Sequence, residues 1–418
     1  MRTSIYATAF RCLRPLKLFT LRRWTGFAMI CVLLAATGSL AAKNAGSPIH
    51  SGAARSCLLD SDADGLADCV ETNTGVFVHA RNTGTNPNIA DTDEDGLSDG
   101  DEVEGTTDGL DLPALGVNPL HKDILLEYDW MNDAECGIAH THRPSKQTLR
   151  LVEATFEHAP VANPDSRNGI RLHQDASLGD VAVNNGGNLV QEASAFANGF
   201  IQGGIGGTDY VRVENTNFSL HRRGYFHYVV FAHGYTAAPG SSGQATVSGY
   251  RMMITLGCDY DDDDAIAKTI VHELGHNLGL LHGGDEHCNR KPNYNSVMNY
   301  RYQFTGTVDC NLHSLGFTDF SRGTRRTLIE SALDENLGVC VSTEGDVPID
   351  WNLNHEIDPD LVSADVNFYP HSACPGLTEL HDYDDWSHIG LTAVRVPTTS
   401  VSEPCADVPG KAQRPSDS

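Results

Sequence analysis

The stretch His272-Glu273-Leu274-Gly275-His276-Asn277-Leu278-Gly279-Leu280-Leu281-His282 constrains this chain more than any other. It has the form H-E-x-x-H-x-x-G-x-x-H. On a helix, residues four apart lie on one face a turn apart, so His272 and His276 point the same way. Two imidazoles at that spacing can share one zinc ion, with Glu273 beside them to hold a water. His282 joins them only if the helix stops, because six more residues at ~1.5 Å each would carry it ~9 Å beyond His276. Gly279 permits the turn, since glycine takes positive φ at little cost. A zinc held by three neutral imidazoles keeps its fourth position for water. The metal lowers that water's pKa towards ~7, and Glu273 can take its proton as it attacks a carbonyl. The bland alternative is a helix that happens to carry histidines. The glycine placed where a turn is needed argues against it.

Downstream of the third histidine stands Ser296-Val297-Met298-Asn299-Tyr300, of the form S-x-M-x-Y. Together with the zinc motif this resembles the metzincin zinc endopeptidases, which carry a methionine turn below the metal. The resemblance implies that Met298 forms an apolar floor under the zinc. It also implies that Tyr300 sits near the metal, as an extra ligand or as a donor to the tetrahedral oxyanion. The implied fold class is α+β: a two-subdomain protease fold with a twisted sheet and an active-site helix. The upper subdomain would run to about 282 and the lower would follow Gly283. By the same resemblance, the last strand before the helix, about Tyr250 to Leu256, would line the cleft and pair with an extended substrate. The region after Tyr300 would form the wall of the pocket beyond the scissile bond.

Two acidic loops precede this region. Asp60, Asp62, Asp64, Asp68 and Glu71 fit D-x-D-x-D-G-x-x-D-x-x-E, and Asp91, Asp93, Asp95, Asp99 and Glu102 fit it again 31 residues later. Alternating acids put oxygens on one side of a tight loop, glycine allows the bend, and the last Glu can close the shell with two oxygens. The repeat resembles thrombospondin type 3 and related calcium repeats, with Asn86-Pro87 and Asn118-Pro119 at a similar period. Two or more structural calcium ions are expected. No flanking helices of EF-hand length are visible, so the segment is expected to be a compact, metal-dependent module that does not catalyse. A solvated acidic linker is the competing view. Asp350, Asn352, Asn354 and Asp358 repeat the spacing once more, with His355 where the glycine stood. Whether that loop binds calcium is open at this point.

The chain has 418 residues, room for two or three domains. Residues 1–42 carry six basic residues (Arg2, Arg11, Arg14, Lys17, Arg22, Arg23) and no acid, followed within that span by an apolar run from Phe27 to Ala36. This is the pattern of a secretory signal peptide, cleaved after Ala41 or Ala42. An uncleaved anchor is the alternative, with an apolar core short for a span. No other stretch is apolar enough to cross a membrane. Removal of the signal leaves 23 Lys plus Arg against 55 Asp plus Glu, a net charge near −32. That argues against nucleic acid and anionic membranes as partners. Protein or peptide substrates, in a secreted or extracellular setting (periplasm or cell surface included), fit the pattern. Oligomeric state is not legible.

Nine of the eleven cysteines lie beyond the signal, and an exported chain with that many suggests disulfides. Cys57 and Cys69 bracket the first acidic loop and could pair. Cys288 and Cys310 flank the methionine turn and could staple it. One thiol is left over.

The expected organisation is a signal at 1–41, calcium repeats at 42–120, a zinc protease domain at 121–395 and a disordered tail at 396–418. Within the third part, strands are expected at Asp123–Trp130, Gly169–Gln174, Phe226–Ala232 and Arg251–Leu256. A helix capped by Ser145 should bury Leu149, Val152 and Phe156. Residues 177–208 read as loop. Asp261–Asp264 suit the N-terminus of the zinc helix. Asp382–Trp386 reads as an acidic surface patch or loop. Two rival functions stand beside a calcium-stabilised endopeptidase. One is a zincin whose third ligand is a downstream glutamate, which His282 and Gly279 argue against. The other is a non-enzymatic, calcium-dependent binding protein or adhesin, which has no reason to keep Glu273.

Overall fold

A parallel strand covered on both faces needs apolar residues at nearly every position. Asp-Ile-Leu-Leu-Glu-Tyr-Asp-Trp supplies five, and its three acids are partnered, Asp123 by His173, Glu127 by Arg222 and Asp129 by Tyr228, so that β1, Asp123–Trp130, is buried at all eight residues. In the computed structural model it stands inside a five-stranded sheet with β2 (Arg171–Asp175), β3 (Phe226–Phe231), β4 (Gly243–Ala245) and β5 (Arg251–Ile254). The order is β2-β1-β3-β5-β4. The first four run parallel, and β4 is antiparallel to β5. Mixed α and β structure with a mostly parallel sheet is therefore the architecture. The structure describes residues 57–177, 186–190, 199–341, 347–369, 373–395 and 402. The expected signal, the linker before Cys57, Cys405 and, except for Ser402, the tail lie outside them. No helix among the described residues is long and apolar enough to cross a membrane.

Three helices flank the sheet: α1 (Lys146–Glu157), α2 (Thr208–Asn217) and α3 (Asp263–Asn277). Strand alternation divides the core. Ile124, Leu126, Tyr128 and Trp130 of β1 pack with Leu149, Val152 and Phe156 of α1 and Ile270, Val271 and Leu274 of α3. Leu125, Tyr228, Val230 and Met253 face the other way, onto Tyr210 and Val213 of α2. Ser145 caps α1 as expected, its hydroxyl accepting from the N–H groups of Gln147 and Thr148. Asp262 caps α3, and the Asp263 carboxylate accepts from Ser145 and Thr148, which ties the two helix starts together. α2 lies partly where no element was expected.

The acidic loops are not a detached appendage. Leu97, Leu110, Leu112 and Leu115 join the second cluster, against the sheet. Asp95 Oδ2 accepts from the backbone N–H of Asp123, the first residue of β1, at 2.7 Å. The described residues all fall in one compact unit.

Three expectations need correction. First, β5 is not a cleft edge. It is paired on one side to β3 and on the other to β4, so its backbone groups are spent, and β4 is the edge strand. Second, Cys288 and Cys310 do not pair. Cys288 bonds Cys374, and Cys310 bonds Cys340. Cys288 and Cys374 meet over the small cluster of Leu328, Leu333, Val339, Trp351 and Leu380 that organises the irregular region after Gly283. Cys57–Cys69 forms as expected, and Cys136–Cys258 is a fourth bond. Third, Asp382–Trp386 is a loop, the second of its two readings, and not a surface patch. Asp385 is fully buried and Trp386 packs on Phe156 and Phe320.

Candidate metal centre

The turn that the zinc motif requires is built at the end of α3. Leu280 N–H bonds to the Gly275 carbonyl and Gly279 N–H to the His276 carbonyl, both at 2.9 Å. This is a Schellman closure with Gly279 at the left-handed position, φ +103°. The chain reverses and His282 returns to the helix, so that Nε2 of His276 and of His282 stand 3.1 Å apart. His272, His276 and His282 form one buried cluster. The side chain grouped with His272 and His276 is His282, and not a downstream glutamate.

Backbone carbonyls fix the ring states. His272 Nδ1 donates to the Val297 carbonyl at 2.8 Å, and His276 Nδ1 donates to the Leu280 carbonyl at 2.7 Å. A carbonyl only accepts, so Nδ1 carries the proton and Nε2 presents its lone pair to the centre. Burial holds all three rings neutral. His272 is lowered to about 4, while His276 and His282 fall well below the usual range, with neighbouring imidazoles adding to the effect. Nε2 of His272 is buried with no hydrogen-bond partner. Such an atom is costly unless something fills the centre. The donor set fits a tetrahedral, borderline cation with one position open.

Glu273 is fully buried on the same helix. Its Oε1 lies against the backbone of β4, where a Cβ on Gly243 would collide with it. Met298 is also fully buried, and its sulfur packs onto the bare Cα of Gly275, between the two helical histidines. The Tyr300 ring sits 4.2 Å from the His282 ring and 6.0 Å from that of His272, centroid to centroid.

Sequence reasoning missed three contributors. Gly243 and Gly275 were not singled out, although each gives room to a site residue. Asp385 anchors the methionine turn: it accepts from Tyr294 hydroxyl (2.8 Å), Ser296 hydroxyl (2.6 Å) and Ser321 N–H (2.9 Å). Ser296 in turn accepts from the Met298 N–H. The edge of β4 already carries one residue, Ser402. Ser402 N–H donates to the Ala245 carbonyl at 2.8 Å, and Ala245 N–H donates to the Ser402 hydroxyl at 3.0 Å.

The acidic loops form oxygen-lined cages. Asp60, Asp62 and Asp64 cluster, and Asp64 also groups with Glu71 and with Asp99 of the second loop. Both oxygens of Asp62, Glu71 Oε2, Asp93 Oδ2 and both oxygens of Glu102 are buried without a hydrogen-bond partner. Burial first, then mutual repulsion among neighbouring carboxylates, raises Asp64 to about 6, Glu71 and Asp99 to about 7, Asp95 to about 8 and Asp93 to about 10. Hard cations relieve both penalties, and all-oxygen donors suit them. Asp91 organises its loop through the N–H groups of Asp95 and Gly96. Asp68 and Asp99 each spend both oxygens on one residue, Ser61 and Thr92 respectively, which braces the loops. The 350–358 loop copies the backbone shape, with Asp350 accepting from Asn354 and His355 N–H groups. Its Asn352 and Asn354 amides, however, donate to Asp358.

No family model, curated protein or solved structure matches this chain.

Proposed function

We propose that this chain is a secreted zinc endopeptidase of metzincin type, stabilised by calcium. One observation carries the reading: three neutral imidazoles converge from a helix and its reversed exit, with a buried glutamate on the same helix. His272, His276 and His282 would hold the metal, and Asp60, Asp62, Asp64, Asp68, Glu71, Asp91, Asp93, Asp95, Asp99 and Glu102 would hold calcium, with Asp68 and Asp99 also bracing their loops. Zinc, when bound, supplies a Lewis acid that activates water and polarises a carbonyl.

The remaining work falls to the chain. The Glu273 carboxylate takes the proton from the attacking water and passes it to the departing amine nitrogen. Tyr300, its ring tilted against that of His282, donates its hydroxyl to the oxygen that gains charge. The edge of β4 pairs with an extended peptide by backbone hydrogen bonds, a use that Ser402 on the same edge supports. Four disulfides among the described residues suit an oxidising compartment. The two-subdomain metzincin fold is part of this proposal, supported by an edge strand beside Glu273 and by an irregular region following Gly283.

The test is cleavage of a quenched peptide library by the chain in calcium. Cleavage stopped by a zinc chelator and restored by zinc supports the reading. No cleavage by a chain with a filled centre favours the binding-protein alternative.

A further inference from the structure

A second histidine cluster lies away from the centre just described. Asp133 and His140 belong to a small hairpin after β1, formed by Asn132–Asp133 and His140–Thr141. His142 follows it, and His233 follows β3. One ligand atom from each of Asp133, His140, His142 and His233 lies within 4.8 Å of every other. This is the end of the sheet where α3 begins. His272 lies nine residues into that helix, ~14 Å along its axis.

The ring state of His140 is decisive. Its Nδ1 donates to the Ile138 carbonyl at 2.9 Å, so in the neutral ring Nε2 carries the lone pair. That lone pair faces Asp133 Oδ1 at 3.1 Å, with the two side chains only 3% and 4% exposed. Two acceptors then point at each other in a buried place, which calls for either a metal ion or a second proton on the ring between them. The other oxygen of Asp133 faces His142 Nε2 at 2.6 Å and His233 Nδ1 at 3.3 Å. Four donors on ~2.0–2.1 Å arms of a tetrahedron would stand ~3.3 Å apart. The 3.1 and 3.3 Å separations are close to that, the 2.6 Å contact to His142 is shorter, and the four donor atoms all lie within 4.8 Å of one another. The device that orients His140 is the one that orients His272 and His276, a backbone carbonyl on Nδ1.

We propose that Asp133, His140, His142 and His233 form a second site for a divalent transition metal, zinc by its donor set. Three imidazoles and one carboxylate fill a tetrahedron completely, so the site is closed and structural. It pins the hairpin to the end of β3. Tyr260, just ahead of α3, stacks on His140 at 3.9 Å, and the Cys136–Cys258 disulfide crosses the same junction. The site therefore fastens three segments where the zinc helix starts. The competing arrangement is an ion-pair knot, with His140 protonated against Asp133 and no metal.

The test counts zinc in the full chain, with calcium in excess and loose metal dialysed away. Two zinc ions per chain are expected, falling to one in His140→Ala, to one in His272→Ala and to none in the double variant. One zinc per chain, unchanged by His140→Ala and lost in His272→Ala, would overturn the proposal in favour of the knot. One zinc lost in His140→Ala but kept in His272→Ala would support it while refuting the catalytic centre. Should His140→Ala fail to fold, the His272→Ala chain is titrated with cobalt(II). Intense visible bands saturating at one equivalent support the closed tetrahedral site, and their absence overturns it.

Discussion

Nε2 of His276 and Nε2 of His282 stand 3.1 Å apart across six residues of chain, because Gly279 holds φ at +103° between them. An L side chain is strained at that angle. Gly279→Ala is expected to cost on the order of 1–3 kcal/mol in urea unfolding. It should also weaken zinc about 10- to 100-fold in a chelator competition, since the Leu280 carbonyl that orients His276 moves with it. Unchanged zinc affinity would mean that the turn does not set the third ligand.

Gly243 gives a cleaner separation of chemistry from metal binding. A Cβ there collides with Glu273 Oε1 and lies 2.7 Å from the Met253 carbonyl. Gly243→Ala is expected to keep the zinc content of the His272, His276 and His282 centre and to lower kcat about 10²-fold, by displacing the carboxylate. A loss confined to KM would assign Gly243 to substrate pairing instead.

Asp385 is expected to matter as much as a metal ligand although it touches none. Asp385→Ala removes the acceptor of three buried donors, at a cost on the order of 3 kcal/mol in chemical denaturation. The methionine turn should loosen with it, since Ser296 then loses its anchor. A small effect would show that the turn is held elsewhere.

These residues mark where sequence legibility ended. β1, α1 and the zinc helix were readable because burial on two faces, a serine cap and histidine spacing each leave a local pattern. β4 leaves none: Gly243-Gln244-Ala245 has no alternation, and its role as edge strand depends on β5 having both sides paired. α2, with Thr, Asn and Val in Thr208–Asn217, has weak helix propensity and no side-chain cap. Asp385 sits in an acidic stretch that reads as solvated, and its partners Tyr294 and Ser296 come about 90 residues earlier. The second histidine cluster spreads from Asp133 to His233, too far apart for spacing to reveal it.

Calcium removal should reverse the pH dependence of stability. Asp64, Glu71, Asp99 and Asp95 have folded pKa values of about 6, 7, 7 and 8, above their unfolded values near 4. Without a cation the folded state therefore holds extra protons. Their contribution is full below pH 4 and is lost as pH rises through 6 to 8. In a calcium chelator, Tm is expected to fall between pH 5 and pH 8. In excess calcium, which competes with those protons, the fall should vanish or become a rise. Because Asp95 is bonded to β1, unfolding should include the sheet. Parallel curves with and without calcium would contradict the cage assignment.

The most direct measurement compares the wild-type chain with Glu273→Gln, both in calcium and both with zinc counted, on one quenched peptide substrate. The account predicts equal zinc and a loss of cleavage of at least ~10²-fold in the variant. Equal cleavage by the two chains would contradict it, since Glu273 would then not be the base.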